Sequence, residues 1–88
     1  MKEKFKLIEG VFTAKDAKEI LLTFIEEKIK FHELKSFSNE IKTGNKSEES
    51  IIKVQELMKT RSEIIKLIDA EDMKSIYLSS FVEVQQIT

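Results

Sequence analysis

The sequence predicts a small, mainly helical α+β domain: an antiparallel two-helix hairpin whose short N-terminal and C-terminal β-strands form a small ribbon. Three observations lead there. Two long segments carry apolar residues three and four apart, the spacing of one helix face. Gly44-Asn45 separates those segments, and Gly10 precedes the first. Both ends of the chain alternate apolar with polar residues instead, the period of a strand.

In the leader, Phe5 and Leu7 alternate with Lys4 and Lys6 until Gly10 breaks the pattern, so a short strand is expected over about 5–8. Thr13 is a good helix N-cap, with Asp16 three residues later in the place of a capping-box acid. Ala14, Ala17, Ile20, Leu21, Phe24, Phe31 and Leu34 then form a broad apolar face, which predicts a helix over about 14–37. Ser36, Ser38 and Asn39 weaken its end, and Gly44 terminates it at the latest.

Asn45 or Ser47 can cap a second helix, with Glu48 and Glu49 suited to its positive first turn. Ile51, Val54, Leu57, Met58, Ile64, Ile65 and Ile68 make its stripe, predicting a helix over about 47–69. From Ile76 the content of β-branched and aromatic residues rises, and Phe81 to Gln85 alternates, so a strand is expected over about 80–86. The competing reading continues the second helix through Met73 and Ile76. The connectivity brings leader and tail to the same end of the hairpin, where they can pair antiparallel. All of this fits a single domain spanning 1–88.

Composition narrows the function. The formal net charge of −1 lacks the basic surplus of a nucleic-acid binder, so no nucleic-acid partner is expected. No apolar run approaches a membrane span, and none follows the Met-Lys-Glu-Lys start, so neither membrane insertion nor a secretory signal is expected. With no Cys and one His, disulfides and thiolate metal sites are excluded, no cofactor is expected, and a cytoplasmic location fits. A chain this short has a modest core, and oligomerisation is the remaining common route to stability.

Few residues stand out for chemistry. His32 has Lys28 and Ser36 one turn away, and reads as a boundary residue. Arg61 falls inside the second apolar stripe, where it must reach water or meet a carboxylate; Glu26 or Glu27 of the facing helix can supply one, and an Arg61–Glu27 pair would be a buried lock on register. Asp69, Glu71 and Asp72 lack the glycine and spacing of a calcium loop and read as a polar helix end. Leu22, Ile25 and Ile29 lie on a second apolar face of the first helix, beyond the reach of one helical neighbour, and are the expected self-association surface.

The run Phe12-Thr13, Ala17, Ile20-Leu21, Lys28-Ile29 and Phe31-His32 resembles small bacterial proteins of about this length that have no established activity. The resemblance covers the first helix, implies a bacterial cytoplasmic origin and assigns no site residue. The favoured expectation is a non-enzymatic interaction module that forms a homodimer. Two alternatives are a small regulator of a larger protein, antitoxin-like or of the phage-inhibitor type, and a small helical enzyme with an intersubunit site drawing on Arg61, Lys28, Glu27 and His32.

Overall fold

The computed structural model describes residues 1–70 and 74–88. The chain runs β1 (Lys2–Thr13), α1 (Ala14–Thr43), α2 (Glu48–Ala70), β2 (Ser75–Gln85). It has the expected α+β composition, with two helices and one two-stranded antiparallel sheet. Both strands are longer than the alternation suggested, because pairing with each other carries them past the residues that alternate cleanly. Ile76 lies in β2, and Met73 of the competing helical reading lies outside the described residues.

The junctions follow from capping chemistry. Thr13, in extended conformation, accepts the Asp16 backbone N–H through Oγ1 at 3.1 Å, satisfying one of the free donors that open α1. The Ala14 N–H donates to the Lys74 carbonyl at 3.3 Å, tying the start of the helix to the entry of β2. At the far end α1 runs on to Thr43, six residues past the expected stop. Gly44 ends it in the left-handed region at φ 79°, its N–H donating to the Glu40 carbonyl at 2.8 Å. The Asn39 side chain, read from sequence as a weakening residue, instead holds the turn by donating to the Asn45 carbonyl at 2.8 Å. Ser47 rather than Asn45 caps α2, accepting the Ser50 N–H at 3.3 Å.

The helices lie antiparallel, as two cross-helix ion pairs fix: Lys18 with Asp69 and Glu26 with Arg61. Their seam follows a four-three repeat on each helix. From α1 come Lys18, Leu22, Ile25, Ile29, His32 and Ser36; from α2 come Ser50, Val54, Leu57, Arg61, Ile64 and Ile68. Ile25, Ile68, Ser36 and Ser50 are buried, and the other seam residues are half-buried. The small Ser36 and Ser50 let the helices close up toward the loop end.

The ribbon is amphipathic, and a β-bulge makes it so. Register shifts between Lys6 and Ile8, leaving Leu7 unpaired. One face carries Phe5, Ile8, Phe12, Ile76, Leu78, Val82 and Val84; the other carries Lys2, Lys4, Lys6, Glu9, Val11, Tyr77, Phe81 and Glu83. Without the register shift, Phe5 and Ile8, three residues apart, would fall on opposite faces, because side chains alternate along a strand. On the polar face Lys2 meets Glu83 at 3.5 Å, and Lys4 stands 5.2 Å from the Phe81 ring centre.

The resulting shape is a thin plate. Its extents are 48 × 34 × 14 Å, and its radius of gyration is 16.2 Å. A compact chain of this length has a radius of about 12 Å. The ribbon meets α1 only around its base, and neither strand packs on α2.

Candidate interaction surface

At about 100° per residue, the apolar residues of α1 fall on two opposite faces. Leu22, Ile25 and Ile29 face α2. Ile20, Phe24, Phe31, Leu34 and Ile41 lie on the back, away from α2. This reverses the expected assignment. Leu22, Ile25 and Ile29 are taken up inside the chain, with Ile25 only 7% exposed, because their four-three repeat matches that of α2. Phe24, Phe31 and Leu34, expected in the core, are 50%, 60% and 60% exposed. The excess apolar surface exists, but on the other side of the helix.

The back face continues into a groove where α1 leaves the ribbon. Phe12, Ile20 and Phe24 form its apolar floor, and Asp16, Glu19 and Glu27 give its edge a negative character. Its volume is about 890 Å³. A second groove, of about 490 Å³, lies along the seam near the loop end and contains Phe37 and Ile51, both exposed.

Arg61 pairs with Glu26, not Glu27: its Nη2 donates to Glu26 Oε1 at 2.9 Å and its Nε to the same oxygen at 3.2 Å. Neighbours on a helix diverge by about 100°, so Glu26 reaches across the seam edge while Glu27 points to the back. The pair is also not buried, with side chains 38% and 55% exposed, so it is a rim contact rather than an internal lock. His32 is half-buried in the seam, its ring edge-on to Phe31 at 5.2 Å. Arg61, Lys28, Glu27 and His32 therefore do not converge: Glu27 and Lys28 line the back groove, and Arg61 lies at the seam edge on the far side of α1. Asp69 accepts Lys18, while Glu71 and Asp72 lie outside the described residues. Among the described residues, no group of three or more His, Cys, Asp or Glu is placed to hold a metal ion. No helix among them is long and apolar enough to cross a membrane.

Comparison with known protein families, characterised proteins and solved structures returns no match. The surface itself is therefore the guide to function. The chain exposes 7122 Å². A compact monomer of 10.3 kDa would expose about 5,400 Å², leaving an excess of roughly 1,700 Å² per chain. Only Ala17, Ile25 and Ile68 are buried apolar residues among those described. A soluble monomer does not ordinarily leave so much of its apolar content outside.

Proposed function

We propose that this chain is a non-enzymatic interaction module that associates with a second copy of itself. The outward apolar stripe of α1, from Ile20 through Phe24, Phe31 and Leu34 to Ile41, carries the reading. The area supports a homodimer in particular. Covering the excess on both chains would bury roughly 3,400 Å² in total, within the range of obligate homodimers. A two-fold contact uses the same patch on both copies, so one self-complementary face suffices. Reading the chain as a regulator would call for a tail that orders only on binding a larger protein. The pairing of β2 with β1 within one chain favours self-association over that alternative.

Sedimentation velocity over a range of chain concentrations tests the proposal. A dimer is expected, and Phe31→Glu is expected to shift it to monomer by placing a charge in the centre of the stripe. Glu63→Lys, an exposed change on α2 away from the stripe, is expected to leave the dimer intact. A parent chain that sediments as a monomer at every concentration would overturn the reading.

A further inference from the structure

We infer that two copies pair back to back through α1, antiparallel, about a two-fold axis near Phe31, with the loop end of each hairpin seated in the ribbon groove of the other. This rests on the self-association proposed above and adds the orientation. The outward stripe runs from Ile20 to Ile41, so its midpoint falls at Phe31. Charge is divided about the same midpoint. On the outward half of α1, Asp16, Glu19 and Glu27 lie before it, Lys30 stands beside it, and Lys35 and Lys42 follow it. All six are exposed, and none joins an ion pair among the described residues. Lys28, which also lines the groove, and Lys30 offset two of the three carboxylates and leave the first half negative.

Antiparallel pairing sets the acidic half of each helix against the basic half of the other. Glu27 then faces the partner's Lys35. Parallel pairing would set acid on acid and base on base along the whole contact, which opposes association. The same antiparallel register brings the partner's Phe37 and Ile41 to Ile20 and Phe24. These residues line the floor of the 890 Å³ groove beside Phe12. That groove is open because the ribbon turns away from α1 there, and an apolar helix end with a lysine at its tip matches its apolar floor and acidic edge.

Single cysteines test the orientation cleanly, since the chain has none of its own. Phe31→Cys lies at the axis and is expected to form a covalent dimer on mild oxidation. Ile41→Cys lies about 30 Å from its own copy, at 1.5 Å per residue over twice its distance from the axis, and is not expected to link to itself. Mixed with Ile20→Cys, it is expected to give a cross-linked pair. Glu27→Lys and Lys35→Glu should each weaken dimerisation about tenfold, from two exposed pairs per dimer, and the double variant should recover the parent affinity. A dimer by sedimentation in which Ile41→Cys links to itself as readily as Phe31→Cys overturns the orientation and leaves self-association standing. A dimer in which neither cysteine links, or in which the double charge swap fails to recover, also overturns it. A monomer at every concentration overturns both.

Discussion

Ile25 and Phe24 are neighbours in sequence that point in different directions, and truncating each should separate the fold from the association. Ile25 is 7% exposed at the middle of the seam between α1 and α2. Ile25→Ala removes three carbons, worth about 0.8 kcal/mol each as transfer energy, with a further term for the cavity left behind. The seam is only two helices thick, so neighbours can settle into part of that space, and a loss of about 2.5 kcal/mol is expected. In a domain this size that corresponds to a fall of roughly 10–20 °C in Tm. Phe24 is 50% exposed within one chain, so Phe24→Ala removes little that a single chain buries. Thermal melts followed by circular dichroism at several chain concentrations distinguish the two. Ile25→Ala should lower Tm by the same amount at every concentration. Phe24→Ala should instead flatten the rise of Tm with concentration that linkage to dimerisation produces. An Ile25→Ala loss below about 0.5 kcal/mol, the level of an ordinary surface change, would refute the placement of the seam.

Gly44→Ala should cost about 1–2 kcal/mol in denaturant unfolding, since φ is 79° and nothing lies near enough to add a steric cost; Gly44→Asn should cost less. Arg61→Met should be neutral or slightly stabilising by the same measurement, because the Glu26 pair is exposed and the position otherwise belongs to an apolar seam. Deleting Leu7 should be tolerated, with helical signal and Tm close to those of the parent. The deletion removes the bulge while leaving Phe5, Ile8, Phe12 and their partners on one face. A large loss there would mean that the bend at the bulge, not the choice of faces, is what the ribbon requires.

The elements were legible from local chemistry. Thr13, Gly44 and Ser47 mark the helix ends by capping, and capping depends on a few neighbouring residues. The facing of α1 was not legible, and the reason is specific. Its outward stripe contains Phe24, Phe31 and Leu34, while the stripe that meets α2 is diluted by Lys18, His32 and Ser36. Ranked by hydrophobicity alone, the wrong face wins. What decides is a match with α2, whose seam is diluted in the same way by Ser50 and Arg61. Lys18 finds Asp69, and Ser36 and Ser50 permit close approach, but these agreements emerge only once both helices are set in register. The choice of Glu26 over Glu27 for Arg61 follows from the same register. The bulge was equally hidden: Phe5 and Leu7 alternate perfectly in sequence, and only the pairing with β2 shows that Leu7 drops out of the ladder.

The Gln86 N–H donates to the Met1 carbonyl at 3.3 Å, so the start of β1 and the end of β2 stand side by side at the tip of the ribbon. The path is thus nearly a closed circuit, whose two open ends sit on the arm that projects from the helices. A short peptide bridging them would turn the chain into a ring, and the exposed turn at Gly44 could then be cut to give new ends. It also means that cargo attached at either end, or a host chain entering and leaving through both, would hang from the ribbon tip and leave the back of α1 unobstructed.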